Sequence, residues 1–183
     1  MTKTEKNNLL KILKESLGRV IYTQTTHEYC AQDCKDKASN VKRLDVGLSA
    51  LTFGGLIGVI FADGIFFKAG SAILATLSLA LSSYQLNFNP ENEAIKHTAT
   101  AKELWYIREK YKNLILDITN ETLDMTAAIN KRDAILDELR LINKFAPSTN
   151  NKAYKRAQKA LQVENEQNFT DDELLKLLPN LQE

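Results

Sequence analysis

The chain has 183 residues, 44% of them hydrophobic, with 24 basic against 23 acidic residues and a formal net charge of +1. That near-neutral balance removes the electrostatic case for a nucleic-acid binder, so no direct nucleic-acid contact is expected. The slightly negative mean hydropathy of −0.30 averages unlike parts and argues neither for nor against a membrane.

The N-terminal segment MTKTEKNNLLKILKESLG lacks the apolar core and small-residue cleavage site of a secretory signal, so no secretion is expected. From Leu10 to Val41 a seam advances in alternating steps of three and four: Leu10, Leu13, Leu17, Val20, Gln24, His27, Ala31, Cys34, Ala38, Val41. Such a heptad pattern predicts a long helix packed on a partner helix, assigned to residues 1–45. Gly18 weakens it locally, by roughly 1 kcal/mol relative to Ala. With no Pro or turn cluster before the next segment, this helix is expected to run on without a break.

Two apolar runs follow. Val46 to Ala62 carries no charge, and Ile65 to Leu86 carries only Lys68, near its start. Each approaches the length of about 20 residues that a helix needs to cross roughly 30 Å of hydrocarbon. Asp63-Gly64 between them is a turn dipeptide too short for a folded loop. Residues 46–86 are therefore predicted to form a transmembrane helical hairpin, with the Lys68 stem reaching back to the headgroups. Lys35, Lys37, Lys42 and Arg43 precede the hairpin and Lys96 and Lys102 follow it, which places both termini in the cytoplasm.

Asn89-Pro90-Glu91 has the form of a helix start: Asn as cap, Pro at the first position, an acid in the first turn. A second seam then runs through Ala94, His97, Ala101, Leu104, Arg108, Tyr111, Ile115 and Ile118. It extends through Thr122, Met125, Ile129, Arg132 and Leu136, with room for a break at Thr119-Asn120-Glu121. This second stalk helix is assigned to residues 90–146, antiparallel to the first, with its seam facing the first seam or copies in neighbouring subunits. Ala146-Pro147-Ser148-Thr149-Asn150 closes it. Short helices fill residues 147–183: one over 151–163 and a last one from the Thr170-Asp171-Asp172-Glu173 cap to Pro179. Strand periodicity is nearly absent, and the predicted class is all-α.

Candidate chemistry is sparse. No Ser or Cys nucleophile signature, Gly-rich phosphate loop or zinc-ligand spacing occurs, so neither an enzyme nor a cofactor is expected. His27, Cys30 and Cys34 make at most half of a four-ligand zinc site; reduced, inert thiols account better for the 2 cysteines, and no metal is expected.

Gln24, His27, His97, Arg108 and Tyr111 form a polar seam in the stalk. It either fixes register and oligomer state or acts as a gating network with proton-sensitive histidines. In the hairpin, Gly54 and Gly58 form a GxxxG spacing with Gly55 beside it, and Ala72, Thr76 and Ala80 give a matching row of small residues, both suited to helix packing. Asp45, Ser49 and Thr52, with Ser71, Ser78 and Ser82, form polar stripes. These either hydrogen-bond within the hairpin or line a water-filled path once hairpins assemble, since two spans alone cannot enclose a pore.

Tyr22-Thr23-Gln24, His27-Glu28 and Ala31 stand before the hairpin. After it come His97, Ala101, Leu104-Trp105, Ile107-Arg108-Glu109-Lys110-Tyr111 and Asp117. The tail adds Ala146-Pro147, Ala153-Tyr154, Phe169 and the Leu-Leu-Pro ending at Pro179. In this order, over nearly the whole chain, these blocks resemble the SLATT family, two-transmembrane effector domains associated with bacterial nucleotide-signalling and other defence systems.

The resemblance implies a bacterial inner-membrane effector of anti-phage defence that oligomerises, breaches the membrane and arrests or kills the host cell. It also implies a separately encoded partner (a reverse transcriptase, nucleotide cyclase or nucleotide sensor), since no sensor is expected within this chain. Two alternatives stay open: a non-conducting membrane scaffold that recruits a partner enzyme, and a soluble oligomer that hides the hairpin until activation.

Overall fold

The structure, a computed structural model, describes residues 2–61, 65–167 and 173–174. Among these residues it contains five helices and no strand: α1 (Lys3–Phe61), α2 (Ile65–Asn87), α3 (Pro90–Thr119), α4 (Met125–Phe145) and α5 (Asn151–Gln162). The molecule is all-α. The Asp63-Gly64 turn, and most of the closing helix expected from Thr170 to Pro179, lie outside the described residues.

α1 is a single helix of 59 residues, roughly 90 Å long at the standard rise. It is unbroken because all 3 prolines of the chain come after it. Its first half is stalk and its last part is apolar. Two helical stretches, one in α1 and one beginning at α2, are long and apolar enough to cross a membrane, and the apolar window of neither is buried within the chain. Phe53, Ile60, Phe66 and Leu79 stand outward, each more than half exposed. An outward apolar surface of this extent on both helices is what a lipid-facing wall presents.

α3 returns antiparallel to α1. Asn89 caps it, its side chain accepting from the Asn92 N–H, and Pro90 occupies the first turn, where a missing N–H costs nothing. The stalk core joins Leu9, Leu13 and Val20 of α1 to Leu104, Ile107, Tyr111, Leu114 and Ile118 of α3, closed by Ala128 and Ile135 of α4. Lys6 ties the far end, its ammonium 2.7 Å from the Glu121 carboxylate and 3.2 Å from the Thr119 carbonyl.

The helix expected over residues 90–146 is two helices. α3 stops at Thr119 and Glu121 takes a left-handed φ of 58°. The Thr122 N–H then donates to the Asp117 carbonyl, and the Asp124 side chain caps α4 at the Ala127 N–H. α4 folds back along α3, fastened by Lys110–Glu138 at 2.6 Å and Lys131–Asp117 at 3.0 Å. The extended heptad therefore fails physically: Leu136 is 55% exposed, while Ala128 and Ile135 are buried in its stead. Asp124 as an N-cap decides the break, because it satisfies an orphaned helix N–H that an uninterrupted helix would not leave.

α5 lies against the outer side of α1. Asn150 caps it at the Ala153 N–H, and Ala153, Ala157 and Ala160 form its buried face, small enough for close approach. Asp33 of α1 receives Arg156 at 2.5 Å and Lys152 at 3.4 Å, and the Arg156 guanidinium lies 4.2 Å from the Tyr29 ring centre.

Candidate functional site

Two assemblies hold the polar side chains that the stalk and hairpin bury. The first lies where α1, α3 and the segment after α5 converge. His27 and His97 are 3% and 5% exposed, with their Nδ1 atoms 2.8 Å apart. One Nδ1 must carry the proton and donate, and the other must accept, so the contact requires that the two rings not be protonated together. Burial, followed by the neighbouring His97 charge, pushes the His27 imidazole down from 6.5 to about 4. Burial also lowers His97, against a smaller opposing effect of Glu93. Burial thus favours the neutral form of both rings.

Around this pair, the buried Gln24 donates from Nε2 to Glu28 at 3.0 Å, and its Oε1 has no hydrogen-bond partner among the described residues. Gln167 joins the two long helices: its Nε2 donates to the Thr25 hydroxyl at 3.1 Å, and its Oε1 accepts from the Arg108 guanidinium. Arg108 is largely covered; its Nε makes no hydrogen bond among the described residues and lies 3.7 Å from Glu109. Asn150 donates to the buried Cys30 sulfur at 3.6 Å, and Tyr29 donates to Glu166 at 3.3 Å. Gln167 and Asn165 have φ of 71° and 50°, a backbone conformation that non-glycine residues rarely adopt. The segment after α5 is thus turned sharply to place Gln167 on Thr25 and Arg108.

Tyr111 is 2% exposed in the stalk core; burial raises its phenol above the usual range despite a hydrogen bond with Ser16. Cys34 is half-buried and likewise raised by burial, so it is a poor nucleophile at neutral pH. Among the described residues no group of three or more His, Cys, Asp or Glu is arranged to hold a metal ion.

The second assembly is the inner seam of the hairpin. The Thr52 hydroxyl donates to the Leu48 carbonyl at 2.8 Å and lies 3.4 Å from the Ser78 hydroxyl of α2. Ser71 is buried, its hydroxyl without a partner among the described residues. Gly55 faces it: a Cβ there would sit 2.8 Å from the Ser71 Oγ. A Cβ on Gly58 would sit 2.9 Å from the Phe67 ring, whereas one on Gly54 would meet nothing.

The residues expected on the two polar stripes therefore divide. Thr52, Ser71 and Ser78 lie at the α1–α2 contact, Asp45 is half-buried, and Ser49 and Ser82 are exposed. The packing row divides as well. Gly55 and Gly58 let α2 approach, while Gly54, Ala72, Thr76 and Ala80 are exposed on the single chain.

Sequence reasoning placed Gln24, His27, His97, Arg108 and Tyr111 on the seam, and the structure pairs His27 with His97, Arg108 with Gln167, and Gln24 with Glu28. It missed Thr25 and Gln167. Thr25 sits one position off the heptad, and Gln167 lies 142 residues further on, where no periodicity signals a contact.

The family described as the SMODS and SLOG-associating 2TM effector domain family 4 matches residues 9–173, a span that takes in the stalk, the hairpin and α5. No curated protein and no solved structure gives a significant match.

Proposed function

Because the chain belongs to the SMODS and SLOG-associating 2TM effector domain family 4, a family of two-transmembrane effector domains, we propose that it is the membrane-breaching effector of a bacterial anti-phage defence system. It sits in the inner membrane with both termini in the cytoplasm. On a signal from a separately encoded nucleotide cyclase, nucleotide sensor or reverse transcriptase, several copies associate through their hairpins. The permeability barrier then fails, and the cell stops growing or dies. No catalytic step is involved.

One observation supports this reading above the others: α1 is continuous from the stalk core into the apolar hairpin. A stiff helix of that length carries a rearrangement at His27 or Thr25 directly to Thr52 and Gly55 without a hinge to absorb it. The polar seam of the stalk then serves as the holding device. Gln167 clasps α1 to α3 through Thr25 and Arg108, and its release frees the two helices to repack. The hairpin's outward small residues, Gly54, Ala72, Thr76 and Ala80, supply the contact face between copies, since small residues let helices in lipid approach closely.

Expression of the full chain from a tight inducible promoter, with membrane potential read by a voltage-sensitive dye, tests the reading. With the trigger or with the clasp removed, depolarisation should precede loss of colony formation. Growth arrest with an intact membrane potential would contradict it and favour a scaffold that recruits a partner.

A further inference from the structure

A cleft of about 870 Å³ opens between α1, the end of α2 and the start of α3, away from both assemblies described above. Lys35, Lys42 and Lys102 line it, and none of the three makes an ion pair or side-chain hydrogen bond among the described residues. Gln85 contributes a buried Nε2 that has no hydrogen-bond partner among those residues either. Val41 and Ile95 add apolar wall.

Its height in the fold is fixed by the sequence around it. Asp45 is the last charged residue before the apolar part of α1, and α2 ends at Asn87. Tyr84 and Phe88 stack with ring centres 5.3 Å apart at the same level, where aromatic side chains favour the membrane–water boundary. Cations without partners and an unpaired buried donor beside lipid-facing helices call for an anion delivered from the bilayer surface.

We propose that this cleft binds the phosphodiester headgroup of an anionic membrane lipid, with phosphatidylglycerol as the type, its acyl chains lying along the outward faces of α1 and α2. Asp45 and Glu91 also line the cleft, leaving its wall with a single net positive charge. That balance suits a monoanionic phosphodiester and disfavours a polyphosphate. The lysine ammoniums pair with the phosphate oxygens, and the Gln85 amide donates to them. The inference rests on the membrane placement of the hairpin. It implies that a bound lipid braces the junction through which the stalk and the spans communicate.

Titrating the full chain, purified in mild detergent, with phosphatidylglycerol or phosphatidylcholine and counting bound lipid by native mass spectrometry tests it. One phosphatidylglycerol per chain should be retained in preference to phosphatidylcholine. Lys35→Gln, Lys42→Gln and Lys102→Gln should each weaken retention roughly fivefold, whereas Lys37→Gln, outside the cleft lining, should leave it unchanged. Inorganic phosphate at millimolar concentration should not displace the lipid.

Equal retention of both lipids, or an unchanged triple variant, overturns the proposal. Displacement by phosphate reassigns the cleft to a soluble anion and equally overturns it. Carbonate-resistant membrane association of the wild type and each variant is measured in parallel. If association fails, the membrane placement itself fails; if association holds without lipid preference, only the headgroup site does.

Discussion

Acidification should loosen the stalk at the histidine pair. The folded protein holds His27 near 4, whereas the unfolded chain protonates it around 6.5. As pH falls through 6.5 the unfolded state takes up a proton that the folded state refuses, so stability is complete above that value and is lost progressively toward pH 4. For His27 alone the loss is about 2 kcal/mol at pH 5 and about 3 kcal/mol at pH 4. His97, lowered in the same direction, adds to it. The mechanism is local, because protonating both rings would set two cations 2.8 Å apart in a buried site.

Amide hydrogen exchange on the detergent-solubilised chain, compared at pH 7 and pH 5 after correction for intrinsic rates, reads the effect. Backbone amides around residues 24–31 of α1 and 94–101 of α3 should lose protection by more than tenfold, while the core around Leu114 and Ile118 should change less. His27→Leu should flatten this pH dependence, even though it leaves the His97 Nδ1 without its partner and lowers protection at neutral pH. Unchanged protection at pH 5 in the wild type, or an unaltered pH dependence in His27→Leu, would refute the reasoning.

Further outcomes follow from the clasp and the hairpin. Gln167→Ala removes an acceptor from the largely covered Arg108 guanidinium, at a cost of about 2 kcal/mol to the closed stalk; growth assays should show toxicity without the trigger, and silence at matched expression would count against the clasp. Gly58→Leu drives a side chain into the Phe67 ring and should lower thermal stability by about 1–3 kcal/mol in detergent. Gly54→Leu has room within the chain and should leave the melting temperature in place while abolishing toxicity; a toxic Gly54→Leu would remove that face from assembly. Single cysteines introduced near either end should resist labelling from outside intact cells, and one placed between α1 and α2 should react; periplasmic labelling of an end would reverse the assigned orientation.

Much of the architecture was legible because its signals are local. Apolar runs at 46–62 and 65–86, the second with Lys68 alone as a charge, the Asn89-Pro90 start and the Asn150 cap each state their element within a few residues, and the structure places helices over the described residues of each. The break of the second stalk helix was harder. The heptad pattern continued through Thr122 and Leu136 with room for a break at Thr119-Asn120-Glu121, and the left-handed turn at Glu121 with the Asp124 cap turns that room into a reversal of direction into α4. Periodicity reports which face of a helix is apolar, but not against which element that face is buried.

The candidate site divides in the same way. Gln24, His27 and Arg108 stand out as polar residues at apolar heptad positions, which sequence spacing can detect. Their pairing across the chain, His27 with His97 and Arg108 with Gln167, depends on tertiary geometry. The hairpin's facing residues, Gly55 against Ser71 and Gly58 against Phe67, turn on helix rotation that a GxxxG spacing leaves open.

Dye release from liposomes by the purified full chain tests the membrane-breaching claim most directly. Wild type and Gln167→Ala are reconstituted at graded protein-to-lipid ratios, with insertion checked by flotation. The expected result is release that is stronger for Gln167→Ala and rises more steeply than linearly with copies per liposome, since two spans cannot enclose a path alone. Both proteins floating with the liposomes and releasing nothing at any ratio would contradict it.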